Sequence, residues 1–350
     1  MTAIQFQQAF HADWGDVADP DLRALIWLLT SPHLLSSEAC WYGADVSAAF
    51  LSERDLLSDI RRIVDAPQTF KSLLVGPATR RLGLYAENLL HAYFQLVFPG
   101  SRRGLQIHDA QGRTIGEFDF LIPEGTRWTH CELATKFYLF HPATSDSDGQ
   151  QPDVYDYLGP NLADSLGAKM HKIIHSQMRL GQQPQAVVKL GQAPDQVGAL
   201  IKGWLFYREA DSHCLLPLPG VAPDHCKGKI WTLQELRHQA AWEGCLLDRL
   251  EWLAPARVDA ARSVCGVDVI EMISTQFALS DAPLMLAKLR RDAAGYAWEY
   301  ERGFVVPDNW TERAATARTL RFERDGVVAQ PEAGIDSGMP AWTESVRSGN

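Results

Sequence analysis

Two carboxylates and a lysine lie on neighbouring segments that both have the composition of β-strands. Asp119 is in Gly-Glu-Phe-Asp-Phe-Leu-Ile (residues 116–122), and Glu132 and Lys136 are in His-Cys-Glu-Leu-Ala-Thr-Lys-Phe-Tyr (residues 130–138). Both segments are rich in aromatic and β-branched residues, and the Pro-Glu-Gly sequence between them is typical of a turn. Mg²⁺ is commonly held by one or two carboxylates, waters and a substrate phosphate. Asp119 and Glu132 could supply the carboxylates, and Lys136 could stabilise charge on a scissile phosphate.

The second segment should present one polar face and one core face, because successive side chains of a strand point in opposite directions. The polar face is expected to carry His130, Glu132, Ala134, Lys136 and Tyr138. The simpler alternative is that Asp119 and Lys136 are solvated residues of an antiparallel hairpin with no catalytic role.

A third carboxylate, Glu87, lies in a strongly periodic segment that begins near Arg81 and ends at Pro99-Gly100. The apolar residues recur at helical spacing, which predicts a helix with one buried stripe. Glu87 falls at the border of that stripe. Because an acidic side chain beside apolar neighbours is costly unless it is paired or liganded, Glu87 is a candidate metal ligand. The alternative is a surface glutamate whose stem lies along its apolar neighbours.

A polar loop at residues 145–151 precedes a second predicted helix over residues 161–180, and a further strand is predicted over residues 185–190. Lys169 and Gln177 of this helix could contact a phosphate or orient a metal-bound water. The order of helix, three strands, helix and strand predicts an α/β core with a mixed sheet between helices.

Length and composition indicate an ordinary globular protein, with 350 residues of which 46% are hydrophobic and 22% charged. Such a chain can fill one large domain or two modest ones. We predict an N-terminal helical extension (residues 1–70), an α/β core (71–231), a mainly helical C-terminal subdomain (232–318) and a flexible tail (319–350). Helices are expected near residues 19–29, 52–64, 233–243, 268–274 and 282–296.

No apolar run reaches the length of a membrane span, and the first residues lack the features of a secretion signal. A cytoplasmic location is therefore expected. The six cysteines show no C-x-x-C pairing, which is typical of reduced core thiols. The dipeptides His213-Cys214 and His225-Cys226 carry zinc-type ligands, but neighbouring strand residues face opposite ways, so core cysteines and surface histidines are the favoured interpretation.

The formal net charge of −10 argues against a protein that coats nucleic acid non-specifically. Lysine and arginine are nevertheless concentrated in residues 71–113 and 169–208, on both sides of the candidate site. Candidate phosphate contacts are Arg80, Arg81, Arg102, Arg103 and Lys172. The alternative is that these are scattered surface charges balanced by acidic loops.

Glu87 on a helix, Asp119 on a strand, and Glu132 with Lys136 on the next strand together resemble the PD-(D/E)XK nuclease superfamily. Several segments are also similar to the bacterial family called domain of unknown function 1853, over about residues 20–312; they are residues 132–139, 157–161, 169–177, 202–207 and 302–310. The resemblance implies a restriction-endonuclease-like α/β fold and hydrolysis of DNA or RNA with Mg²⁺ or Mn²⁺. By this resemblance Glu87, Asp119 and Glu132 would hold the metal, and the catalytic residues would be Lys136, Lys169 and Gln177.

The spacing of Glu132 and Lys136 departs from the superfamily pattern, which has a single residue between the acid and the lysine. With three residues between them, the two side chains share a face but lie roughly 13 Å apart along an ideal strand, instead of about 7 Å. Either a bulge draws them together or Lys136 has a different role. A catalytically inactive module that binds nucleic acid or a protein partner is therefore the alternative function.

Overall fold

A computed structural model of the protein describes residues 3–36, 51, 54–74, 79–142, 152–214, 218–239 and 241–324. The helices are α1 (Ala3–Trp14), α2 (Pro20–Thr30), α3 (Leu56–Asp65), α4 (Pro67–Leu73), α5 (Leu82–Val97), α6 (Leu166–Lys172), α7 (Pro184–Leu190), α8 (Leu233–Arg237), α9 (Gly266–Phe277) and α10 (Trp310–Arg324). The predicted polar loop at residues 145–151 and the chain beyond residue 324 lie outside the described residues. The tail predicted from residue 319 overlaps the last six residues of α10.

The strands form a mixed sheet at the centre of the molecule. They are β1 (Arg102–His108), β2 (Thr114–Glu124), β3 (Arg127–Phe140), β4 (Tyr157–Leu158), β5 (Gln196–Tyr207), β6 (Cys226–Thr232), β7 (Glu243–Leu246), β8 (Arg257–Asp259), β9 (Val264–Cys265), β10 (Leu284–Arg291) and β11 (Tyr296–Val306). The strand order is β1-β2-β3-β5-β6-β11-β10-β7-β9, with β4 beside β3 and β8 beside β11. Strands β3, β5, β6 and β11 run parallel, and both flanks of the sheet are antiparallel.

Helices cover both faces of the sheet, as expected for an α/β core. One hydrophobic cluster joins Cys131, Leu133 and Leu139 of β3 to α2, α3 and α5. A second cluster joins Ala134 and Tyr138 of the same strand to α6. The alternation predicted for β3 is therefore confirmed. The face expected to be polar is buried as well, because α6 covers it.

The predicted N-terminal helices are confirmed, with small shifts in their bounds. Asp19 caps α2 and accepts hydrogen bonds from the backbone N–H groups of Asp21 and Leu22, both at 3.1 Å. Such a cap satisfies donors that have no partner within the helix. Helix α2 packs against α5 in the main core, so the N-terminal segment and the sheet share one hydrophobic cluster.

The expectation of a mainly helical segment over residues 232–318 is wrong. This segment contributes β7 to β11 to the same sheet, and β11 pairs with β6 at its centre. The helix predicted near residues 282–296 is instead β10 and the start of β11, whereas α9 confirms the helix near residues 268–274. Strand β10 lies between β11 and β7 and is buried on both faces over residues 285–289. Such a short run has no periodicity that separates a strand from a buried helix.

The strand predicted over residues 185–190 is also corrected, since this segment is helix α7. Pro184 stands at its first position and Gly191 ends it in the left-handed conformation, which are the usual signals of a helix start and stop. The strand beside β3 is β5, which begins eleven residues further along the chain. Among the described residues, no helix has the length and apolar character needed to cross a bilayer.

Candidate functional site

The pairing of β2 with β3 ends next to Asp119 and Glu132, which brings these two residues together. Phe120 and Cys131 form the last pair of the ladder. Beyond it, no strand among the described residues pairs with this edge of β3 until the short strand β4 joins. Asp119 Oδ2 accepts a hydrogen bond from the backbone N–H of Leu133 at 2.9 Å. The aspartate side chain thus takes the place of a strand partner and is held against β3.

The carboxyl groups of Asp119 and Glu132 lie within hydrogen-bonding reach of each other, and Glu132 has no exposed surface. Burial raises the pKa of Asp119 to about 7, with a further contribution from the charge of Glu132. Burial likewise raises the pKa of Glu132. A buried carboxylate in contact with a half-buried one resists double ionisation, so the pair shares a proton near neutral pH.

Both oxygens of Glu132 have further partners. His130 Nε2 lies 2.7 Å from Oε1, and Gln177 Nε2 donates to Oε2 at 2.5 Å. Burial lowers the pKa of His130 to about 4, so the imidazole is neutral and this contact is a hydrogen bond, not an ion pair. Lys169 Nζ in turn donates to Gln177 Oε1 at 3.1 Å. Glu132, Gln177 and Lys169 therefore form one hydrogen-bonded chain.

Gln177 reaches Glu132 and Lys169 because the backbone after α6 changes from an α-helical to a π-helical pitch. The predicted helix over residues 161–180 is observed as α6, capped by the Ser165 side chain, followed by a π-helical turn over Ile173–Gln177. Such turns are rare and are frequent at functional sites. Ile173 and Ile174 of the turn are buried against the sheet. Gln177, at the end of the turn, is thereby directed at the carboxylates.

Lys169, and not Lys136, is the lysine that interacts with the carboxylate pair. Burial lowers the pKa of Lys169, as does the neighbouring charge of Lys136, while the charges of Asp119 and Glu132 oppose this change. Lys136 Nζ donates to Asp164 Oδ2 at 2.9 Å. The long spacing between Glu132 and Lys136 is therefore not closed by a bulge, and Lys136 is instead tied to the loop before α6.

Glu87 lies near the pair but does not complete a compact cluster with it. Burial raises the pKa of Glu87, and the charge of Asp119 raises it further. Among the described residues, no three His, Cys, Asp or Glu side chains lie close enough together to hold a metal ion. Of the three carboxylates predicted from sequence, the structure brings Asp119 and Glu132 into contact and leaves Glu87 as an electrostatic neighbour.

A cleft of about 850 Å³ lies between the start of α5 and the unpaired edge of β3, and its lining includes Leu133, which follows Glu132 in the strand; we call it the α5–β3 cleft. Glu87, Lys136 and Lys169 line it. Further side chains come from distant parts of the chain, namely Arg80, Arg81, Glu117, Tyr138, Asn161, Asp164, Arg249 and Trp252. The volume is in the range of ligand-binding pockets, roughly 300–1,000 Å³.

The predicted phosphate contacts do not all reach the α5–β3 cleft. Arg80 and Arg81 line it and are exposed. Arg103 hydrogen-bonds the Asn88 side chain and lies close enough to Glu87 to lower the pKa of that carboxyl. Arg102 and Lys172 do not line the cleft. The guanidinium carbon of Arg102 lies 5.2 Å from the centre of the Trp128 ring, and Lys172 is exposed at the end of α6.

The sequence model of the family described as a domain of unknown function (DUF1853) matches residues 23–306. The chain belongs to this family. The match includes every residue that lines the α5–β3 cleft. No curated protein and no solved structure matches the chain.

Three cleft residues of this DUF1853 chain were not found from sequence. Asp164 lies in the loop before α6, and Arg249 and Trp252 lie in a short 3₁₀ turn, so no periodic pattern indicates their direction. His130 was expected on the polar face of β3, and its spacing of two residues from Glu132 was the signal for their contact.

The alternative interpretation, a zinc site, gains no support from His225 and Cys226, the two of its four residues whose side chains the structure describes. His225 is buried, contrary to the expectation of a surface histidine, and its Nε2 lies 2.7 Å from the Tyr207 hydroxyl. Cys226 is buried in the main core together with residues of α2 and α5. The side chains of His213 and Cys214 lie outside the described residues.

Proposed function

We propose that this protein is a metal-dependent phosphodiesterase that hydrolyses DNA or RNA in the α5–β3 cleft. The observation that carries the proposal is the Asp119–Glu132 carboxyl pair, whose electrostatic neighbours Glu87 and Lys169 line a cleft with several cationic side chains. Two touching carboxylates are costly to ionise in a buried site. A divalent cation offsets that cost, because its charge is larger than that of the proton it replaces.

The residues of the pair fit a magnesium or manganese ion. Both cations take carboxylate oxygens, and one or two carboxylates with waters are enough for Mg²⁺. Asp119 and Glu132 would hold the ion, and Glu87 would act on it through water. When bound, the ion would lower the pKa of a bound water and neutralise phosphate charge.

The neighbouring side chains have separate tasks in this proposal. Lys169, beside both carboxylates, stabilises negative charge on the scissile phosphate. Gln177 holds Lys169 and Glu132 at a fixed separation through its two hydrogen bonds. His130 fixes the orientation of Glu132. Lys136 contributes positive charge to the cleft wall from its contact with Asp164.

Membership of the PD-(D/E)XK superfamily, and the restriction-endonuclease-like form of the fold, belong to the same proposal. They are supported by the mixed sheet between helices and by the chain order of a helix glutamate, a strand aspartate and a strand glutamate. The lysine differs, because Lys169 on α6 lies beside the carboxylates in place of a lysine on β3.

The proposal is tested with labelled single- and double-stranded DNA and RNA in the presence of Mn²⁺. We expect cleavage by the wild type, none by Asp119→Asn, and a loss of roughly a hundredfold for Lys169→Met, the scale of one electrostatic stabiliser. Lys136→Met should have a smaller effect. Lys189→Met, at an exposed position on α7, is the matched control. A complete loss of cleavage in Lys136→Met, with no loss in Lys169→Met, would show that Lys136 and not Lys169 stabilises the charge on the phosphate.

The second candidate is a binding module with the same fold and no hydrolytic activity. One observation favours it: both oxygens of Glu132 already accept hydrogen bonds within the protein. Wild-type protein that binds nucleic acid but yields no metal-dependent product beyond that of Asp119→Asn would establish this candidate and refute the phosphodiesterase.

A further inference from the structure

The wall of the α5–β3 cleft contributed by the C-terminal half of the chain carries an arginine stacked on a tryptophan. Arg249 and Trp252 lie in one 3₁₀ turn, and the guanidinium carbon of Arg249 is 5.3 Å from the centre of the Trp252 ring. Both residues line the cleft. Arg249 is exposed and Trp252 is half-buried. Stacked aromatic and guanidinium planes are the surfaces on which proteins bind unpaired bases.

Trp252 is held in position before any ligand arrives. Its indole Nε1 donates to Leu247 O at 3.2 Å. Its ring packs edge-on against Phe137 and Phe304, with centroid separations of 5.5 and 5.1 Å. The backbone carbonyl of Trp252 accepts a hydrogen bond from Arg302. A ring with so little freedom loses little entropy when a base stacks beside it, which favours binding.

The depth of the carboxyl pair restricts the form of the nucleic acid. Glu132 is fully buried, and the residues that line the cleft are its neighbour Lys169 and Glu87, a neighbour of Asp119. A phosphate must therefore enter the cleft to approach the pair. A cavity of about 850 Å³ holds a few nucleotides, whereas a duplex, whose major groove alone is about 12 Å wide, is much larger.

The charges of the α5–β3 cleft suit a strand that enters by its backbone. Five cationic side chains line it, against three carboxylates. Lys136 is paired with Asp164, and Lys169 is engaged with Gln177. The remaining cations are Arg80 and Arg81 at the start of α5 and Arg249 on the stacking wall.

We propose that the α5–β3 cleft binds single-stranded nucleic acid, with an unpaired base on the Arg249–Trp252 wall and the adjoining phosphates on Arg80 and Arg81. This inference rests on the proposed function, since it names the form of the substrate of the same site. DNA and RNA single strands share this chemistry. Duplex nucleic acid enters only after its end has separated.

The test is fluorescence anisotropy with oligonucleotides of about 12 nucleotides, within the site size of single-strand binding folds. Single-stranded DNA, single-stranded RNA and the matching blunt duplex are compared in EDTA. We expect either single strand to bind at least about tenfold more tightly than the duplex. Arg249→Ala and Trp252→Leu should each weaken single-strand binding by roughly five- to a hundredfold, the range for one stacked base.

Arg290→Ala is the matched control, because Arg290 is exposed and stacks on Tyr300 at 4.6 Å outside the cleft. It should bind like the wild type. Circular dichroism shows whether the Trp252→Leu variant folds. If it does not, binding by Arg249→Ala alone decides the test. Duplex binding as tight as that of the single strands, or a loss in Arg290→Ala equal to that in Arg249→Ala, overturns the proposal.

The result is separable from the test of hydrolysis, because binding is measured without metal. Single-strand binding that depends on Arg249, with no cleavage in Mn²⁺, supports this inference and refutes the phosphodiesterase. Cleavage of a duplex at internal positions, with no preference for single strands, supports the phosphodiesterase and refutes this inference.

Discussion

Replacing Asp119 by asparagine should stabilise the metal-free protein, most strongly above the folded-state pKa of the aspartate. The pKa of Asp119 is raised to about 7, chiefly by burial and then by the charge of Glu132. A raised folded-state pKa means that the protonated acid is favoured in the fold, so wild-type stability is lost as pH rises from the ordinary pKa of 3.8 to the folded value of about 7. Asparagine cannot ionise, and its side-chain oxygen can still accept from the backbone N–H of Leu133.

The size of the effect follows from the pKa shift. The ordinary pKa of Asp119 is 3.8 and the folded value is about 7. Because each unit is about 1.4 kcal/mol and the two carboxyls titrate together, the gain in the free energy of unfolding should be on the order of 2–4 kcal/mol. It should be fully present at about pH 8.5, roughly half as large at about pH 5.5, and absent only below the ordinary pKa of 3.8, where both the folded and the unfolded wild type hold the proton.

Thermal unfolding in EDTA across this pH range measures the difference between variant and wild type. Asp109→Asn is the control on the neighbouring β1–β2 turn, since hydrogen bonds from the Arg113 backbone and side chain lower the pKa of that half-buried aspartate. It should not gain stability at high pH. Mn²⁺ should raise the midpoint of the wild type and leave Asp119→Asn unchanged. An Asp119→Asn variant that is less stable than the wild type at alkaline pH would refute the shared-proton account.

Two further predictions concern the framework of the site. A Cβ at Gly203 would lie 1.7 Å from the backbone oxygen of Lys136, so Gly203→Ala should disrupt the β3–β5 pairing and cost several kcal/mol or prevent folding. In contrast, Gly83→Ala meets no atom within 4 Å and should be neutral or stabilising in urea denaturation. Burial opposes ionisation of Asp59, but hydrogen bonds from two arginines and Tyr93 outweigh it and lower its pKa. Asp59→Asn should therefore destabilise the protein at neutral pH, by about 2 kcal/mol or more, and this difference should vanish in acid as the wild-type carboxyl is protonated.

Local pattern was sufficient for the elements that carry the carboxylates. The helical periodicity around Glu87 correctly predicted α5, and the alternation of β3 correctly assigned Glu132 and Leu133 to opposite faces. The hairpin of β2 and β3 followed from two strand-like segments around a turn. These features depend on residues close in the chain, where helix and strand periods differ clearly.

Local pattern was insufficient for two short segments of mainly apolar residues. Strand β10 was interpreted as a helix, and helix α7 as a strand. For β10 the deciding factor is pairing with β11 and β7, which lie on either side of it in the sheet. Hydrogen bonds to distant strands outweigh the weak helix preference of its residues.

The composition of the candidate site was set largely by tertiary structure. The sequence by itself determined that Asp119, Glu132 and Glu87 are available on a hairpin and a helix of an α/β core. Only the folded chain decided that Lys169, eight residues before its partner Gln177, serves the carboxylates while Lys136 pairs with Asp164. The physical reason is that strand and helix periods fix the direction of a side chain. Its partners and its pKa depend instead on which distant segments bury it and which charges they bring.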